Sequence, residues 1–141
     1  LQAAVLLVKL GHLKEWTERR RENASIYREL LTDIPQVESP QELKYEKAVY
    51  HTFVIQADNR NRLRSHLAEN GVGSAIHYPN PIHSQTVASW LGYQQGTFPV
   101  TESQASRILS LPVFPELERQ QLEYVVDCIR SFYKTHPHGT S

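Results

Sequence analysis

Residues 71–85, "GVGSAIHYPNPIHSQ", set two imidazoles, a phenol and two carboxamides among two glycines and two prolines. Such groups donate and accept hydrogen bonds. His77 closes a predicted short strand, and Pro79 and Pro81 force an extended path beyond it. A backbone held that rigidly can aim side chains at a ligand. The same residues also fit a plainer reading, in which Tyr78 and the prolines plug a sheet edge and the histidines are satisfied locally. A metal site is not expected. His77 and His83 lie six apart with prolines between them, and their nearest candidate co-ligands, Asn80 and Gln85, are poor zinc ligands. Elsewhere the chain has no phosphate-cradling glycine loop, no histidine pair at helical spacing and no nucleophile elbow. His51, in the middle of a strand on an apolar face, reads as a core or interface histidine, with a ligand-facing role as the alternative. Trp16 and Trp90 fall on apolar helix faces, where core or interface roles are expected.

The elements that must position these groups follow from periodicity. From Gln2 to about Leu31, Leu6, Leu10, Leu13, Ala24, Tyr27 and Leu31 recur near every third or fourth residue, so the spacing predicts one long amphipathic helix, stopped by Pro35. No capping residue precedes it. "AVYHTFVIQA" (48–57) predicts a strand with Val49, His51, Phe53 and Ile55 on one face. A short helix with Leu63 and Leu67 should follow, closed by a left-handed Gly71. "GSAIH" (73–77) predicts a second strand, and Ser84 can cap a helix carrying Val87, Trp90 and Leu91 up to Gly92. "TESQ" (101–104) has capping-box spacing, "SLPVF" (110–114) predicts a third strand, and residues 119–133 predict a final amphipathic helix. The pattern describes an α+β two-layer sandwich: a small sheet of three to four strands, antiparallel or mixed, with helices mainly on one face and a long helix at each end. Residues 1–135 form one domain, and 136–141 an unstructured tail.

Composition narrows the partners. With 141 residues, 40% of them hydrophobic, the chain can build one core. Fifteen basic and fifteen acidic side chains cancel, which gives no general attraction to nucleic acid or to an anionic membrane. "ERRREN" (18–23) reads as a solvated helix face. Cys128 is the only cysteine and reads as a buried structural thiol, with no disulfide framework. No apolar run approaches a membrane span and no signal-peptide pattern opens the chain, so a cytoplasmic location is expected.

Taken in order, "LQAAVLLVKLGHLKEW", "RRRENASIYRELL", "VYHTFVI", "HYPNPIH", "SLPVFPEL" and "YVVDCI" resemble the C-terminal small domain of the DegT/StrS-like nucleotide-sugar aminotransferases. The resemblance runs from residue 1 to about 133. It implies the aspartate-aminotransferase fold, pyridoxal phosphate as cofactor in the full-length family, and amino transfer from glutamate to a keto-sugar nucleotide. It implies substrate-side roles for His77, Tyr78, His83 and Gln85, and a structural role for His51. None of the five lysines, Lys9, Lys14, Lys44, Lys47 and Lys134, sits in a segment like the family's Schiff-base lysine. This chain alone is therefore expected to bear no catalytic residue, no metal and no cofactor, and to act as a fragment without activity of its own. The alternatives are a free-standing ligand- or protein-binding module, or a folded remnant of a truncated gene. The apolar stripe of the first helix, with Val5, Leu6 and Leu10, is expected to drive self-association.

Overall fold

In a computed structural model that describes residues 1–136, the expected single N-terminal helix is two helices, α1 (Gln2–Leu10) and α2 (Leu13–Leu31). The break falls at Gly11 and His12. Their N–H groups bond three residues back, to the carbonyls of Val8 and Lys9 at 3.3 and 3.0 Å, and tighten the last turn of α1. Glycine is the weakest helix former after proline, so the joint sits where a helix costs most. No residue of α1 is buried, whereas α2 buries Asn23, Ala24, Tyr27 and Leu31.

The sheet has three antiparallel strands, β1 (Val37–Glu38), β2 (Phe53–Ala57) and β3 (Ile108–Leu111), in that order. Within β2 the expected alternation holds, with Phe53, Ile55 and Ala57 fully buried. Before Phe53 it fails. Tyr50 takes a left-handed backbone (φ +48°), which inverts the phase: Tyr50 is buried, while Val49 and His51 are exposed. His51 is therefore not a core histidine on a strand. The strand expected at 73–77 contracts to one bridge between Ala75 and Ser110.

Two helices follow the reading and two depart from it. Helix α3 (Arg60–Glu69) buries Leu63 and Leu67 and is followed by Gly71 at φ +72°, the left-handed position that favours glycine. After Ser84 the chain forms only a 3-10 turn, Thr86–Leu91, with Ala88 as its one buried residue. Trp90 is 81% exposed there and is no core residue. Helix α4 (Pro99–Arg107) begins two residues before Thr101, with Pro99 in its first turn, where a missing N–H costs nothing. The last helix, α5 (Arg119–Thr135), opens on a reciprocal capping box between Glu118 and Gln121. It runs two residues further than its apolar period suggests. Of the tail expected at 136–141, His136 stacks on Phe132 at 4.8 Å, and 137–141 lie outside the described residues.

Helices α2, α3 and α5 make one layer and the sheet the other, so the two-layer α+β sandwich holds. The core runs between them, with Tyr27 stacked on Phe53 at 5.0 Å and with Leu31, Leu67, Leu122, Ile129 and Phe132 in the same buried cluster. Helix α2 also explains why the strand expected at 110–114 stops at Leu111. Pro112 has no N–H for a ladder, and the next three carbonyls go to side chains of α2 instead. Tyr27 Oη donates to Pro112 at 3.0 Å, Arg20 to Val113 at 2.7 Å and Asn23 to Phe114 at 2.9 Å. The "ERRREN" run is thus only partly a solvated face. Arg19 pairs outside with Glu15, but Arg20 reaches the strand exit, and Arg21 binds Glu42 (2.8 Å) and the Ala48 carbonyl, fastening the 40–50 loop.

Candidate functional site

Of the four residues singled out for a ligand, His77 is the one tied to the sheet. Ala75 exchanges both backbone hydrogen bonds with Ser110, at 2.7 and 3.2 Å. Two residues on, the His77 Nδ1 lies 2.9 Å from the Ser110 hydroxyl. Ser110 is buried between Leu109 and Leu111, which face the core, so its own side chain faces the opposite side of the sheet. The His77–Tyr78 peptide is cis. The two rings meet edge to face at 6.0 Å, and Tyr78 projects outward, 76% exposed. A recess of about 280 Å³ opens here, lined by His51, Thr52, Ser74, His77 and Ser110. Ser74 Oγ is buried beside it and has no hydrogen-bond partner among the described residues.

His83 faces elsewhere. Its Nε2 sits 3.1 Å from Glu102 Oε1, its ring packs 4.8 Å from that of Phe98, and only 8% of its side chain is exposed. Glu102, in the first turn of α4, also accepts the Gly96 N–H at 2.8–2.9 Å and the Phe98 N–H at 3.3 Å. The Gly96 amide is the main reason why its carboxyl titrates below the usual carboxylate range, with Phe98 and His83 adding to it. One carboxylate thus ties the 77–85 loop and the 92–98 loop to α4. Between them lies a cleft of about 500 Å³ lined by Asn80, His83, Tyr93, Gln94, Glu102 and Arg60. Arg60 is buried and committed to structure: it donates to the carbonyls of Ile108 (2.8 Å) and Ala105 (3.2 Å). Burial lowers its pKa. Gln85 is exposed, and its amide reaches the Asn80 carbonyl at 3.4 Å.

The structure therefore gathers His77 with His51 in one recess and His83 with Asn80 in another, and Gln85 lines neither. Two residues missing from the sequence reading carry the arrangement. Glu102 appears there only as part of a capping box, and Ser110 only as a strand residue. Their distances along the chain from His83 and His77, nineteen and thirty-three residues, leave no periodic signal. Among the described residues no group of three or more histidines, cysteines, aspartates or glutamates is placed to hold a metal. No described helix is long and apolar enough to cross a membrane. All five lysines are exposed. Lys47 pairs with Glu18 at 3.2 Å, and Lys9 borders an apolar groove along α1 lined by Leu6, Leu10, Leu13 and Trp16.

The sequence pattern of the DegT/DnrJ/EryC1/StrS aminotransferase family matches residues 1–130. A pleiotropic regulatory protein of Geobacillus stearothermophilus is 42% identical over 136 residues, 95% of this chain and 37% of that protein. The dTDP-3-amino-3,4,6-trideoxy-alpha-D-glucose transaminase of Streptomyces venezuelae is 36% identical over 132 residues, 94% of this chain and 35% of the enzyme. The crystal structure of S. venezuelae DesV in complex with a ketimine intermediate superposes with a TM-score of 0.88 at 37% identity, covering 93% of this chain and 35% of DesV. This chain spans about a third of the length of the relatives it matches.

Proposed function

Because this chain belongs to the DegT/DnrJ/EryC1/StrS aminotransferase family, we propose that it is the small domain of a nucleotide-sugar aminotransferase, supplying substrate-side contacts and no catalytic group. One observation carries this reading. Transaminase relatives match over more than nine tenths of this chain, while the chain spans only about a third of them.

The family's enzymes depend on pyridoxal phosphate. That cofactor needs a lysine for a Schiff base in a sheltered pocket, an acid facing the pyridine nitrogen, and donors for the phosphate. The residues present do not fit it. Every lysine stands in solvent, and Glu102, the carboxylate lining the cleft beside His83, already holds two backbone amides. In our reading the chain binds no cofactor of its own and works in the cytoplasm.

His77, Tyr78, His83 and Gln85 form the substrate-side lip, with divided labour. His77 and Tyr78 are open to solvent and present an imidazole and a phenol to a sugar or its diphosphate. His83 and Gln85 hold the loop that carries them. Titration with pyridoxal phosphate should give no stable aldimine absorbance. A borohydride-trapped adduct at a single lysine would overturn the reading. Mixing the chain with the cofactor-binding part of a relative should restore amino transfer to a keto-sugar nucleotide.

A second role rests on α1. Val5, Leu6 and Leu10 are 50%, 64% and 63% exposed, and the groove that Leu6 and Leu10 line continues to Leu13 and Trp16 of α2. A net charge of zero puts no general repulsion between copies. We therefore place a self-association surface on α1. Light scattering should show dimers that a Leu6→Lys/Leu10→Lys variant loses. A wild-type monomer at high concentration would remove this role.

A further inference from the structure

We propose that Ser110 is a positioning residue for His77: its hydroxyl donates to Nδ1, holds the ring in one pose, and leaves Nε2–H as the donor offered to an oxygen of the ligand. This rests on the substrate-side reading of His77 and deepens it. Ser110 is one of the few polar residues of the core, 6% exposed. Its backbone cannot shift, because its N–H and C=O are both bonded to Ala75 (2.7 and 3.2 Å) and it lies opposite Val54 in the ladder. A buried hydroxyl proton requires an acceptor. Among the described residues the Ser110 hydroxyl has one partner, His77 Nδ1 at 2.9 Å, so the proton points there.

A neutral imidazole carries one proton. With Nδ1 accepting, that proton lies on Nε2, which has no protein partner among the described residues. His77 itself is exposed, so nothing comparable in packing fixes its ring. The ring nevertheless lines the recess with His51, Thr52 and Ser74, where Nε2–H can meet a hydroxyl or phosphate oxygen. An exposed side chain is thus aimed by a buried one, through a strand that the core holds.

The test is nitrogen-15 NMR of the histidine rings in the 141-residue chain, with His77→Gln identifying the resonance. In the wild type, Nδ1 should be unprotonated and shifted as a hydrogen-bond acceptor, and the ring should be as rigid as ordered backbone, with an order parameter of about 0.85. In Ser110→Ala the acceptor shift should vanish and the order parameter fall below about 0.6, with the far-ultraviolet circular dichroism unchanged. Ser110→Thr keeps the oxygen and should restore both signals. A proton on Nδ1 in the wild type, or a ring equally rigid in Ser110→Ala, would overturn the proposal. The wild-type spectrum decides it even where Ser110→Ala does not fold. All of this is read without ligand, so its failure is distinct from a failure of the substrate-side reading, which the reconstitution with a relative's cofactor-binding part tests.

Discussion

Replacing Tyr27 by Phe removes one oxygen from the centre of the fold and leaves its ring in place. Tyr27 is fully buried and stacked on Phe53. Its hydroxyl donates to the Pro112 carbonyl at 3.0 Å, at the point where β3 leaves the sheet. A neutral hydrogen bond contributes about 1 kcal/mol net, and a buried acceptor left without a donor costs about 1–3 kcal/mol. Pro112 is only half-buried, so water can satisfy part of that need, and Tyr27→Phe should cost about 1.5 kcal/mol. Unfolding entropy of about 2.1 cal/mol/K per residue gives this chain about 0.3 kcal/mol/K, hence a fall in Tm of about 5 °C. Tyr27→Ala also empties the ring's volume and should cost about 3–5 kcal/mol. Urea unfolding followed by circular dichroism measures both. A Tyr27→Phe protein within about 0.3 kcal/mol of wild type, or one as unstable as Tyr27→Ala, would refute the hydrogen-bond account. pH supplies a second signature. Burial pushes the Tyr27 phenol well up, as it does that of Tyr133, where Asp58 adds to the rise. A phenol raised in the folded state stabilises fully below its unfolded value of about 10, and that stability is lost as pH rises toward the folded value. The wild type should therefore weaken above that pH, and Tyr27→Phe should weaken less steeply. An unchanged alkaline slope would count against the argument.

Three further expectations rest on other contacts. Arg21, the Ala48 amide and Tyr50 hold the Glu42 carboxyl at about 2, below the ordinary 4.5. Its contribution is present above 4.5 and lost as pH falls from there toward 2, so Glu42→Gln should flatten the urea midpoint across that window. Gly71→Ala places a Cβ in open space but at φ +72°, and should cost about 1–2 kcal/mol through the backbone alone; Gly71→Asn should cost less. Glu102→Ala releases the Gly96 and Phe98 amides and His83 together. Limited proteolysis should then cut within 92–98 faster, while circular dichroism stays native.

Long, strongly periodic elements were legible from the residues: α5, α3 with its glycine stop, and the Phe53–Ala57 half of a strand all follow from apolar spacing. What escaped has separate physical causes. Tyr50 is drawn inside, against Phe53, with its hydroxyl on Glu42, and that reverses the phase of the strand predicted before Phe53. Strand β1 is two residues long, too short to generate a period. The 84–92 stretch has helical apolar spacing, but Trp90 and Val87 face solvent, so no packing extends the 3-10 turn into a helix. Of the candidate site, the imidazoles and the phenol could be picked out by type. Their supports, Ser110 and Glu102, could not, because a hydrogen bond between distant segments leaves no trace in local pattern.

The side chains that take the carbonyls beyond Leu111 have a consequence for how this protein can aggregate. A sheet is vulnerable at its edges, where free backbone groups template another strand. Ser110 turns its N–H and C=O away from β2, toward Ala75, so by the alternation of an antiparallel ladder Ile108 and Pro112 face the same outer edge. The Ile108 N–H bonds the Gln104 carbonyl and its C=O receives Arg60. Pro112 has no N–H, and its C=O receives Tyr27. Every outward backbone group from Ile108 to Pro112 is thus occupied, and the opposite edge, β1, offers only two residues. Strand addition of the amyloid kind therefore meets no free backbone group along Ile108–Pro112 and only a two-residue strand at the other edge.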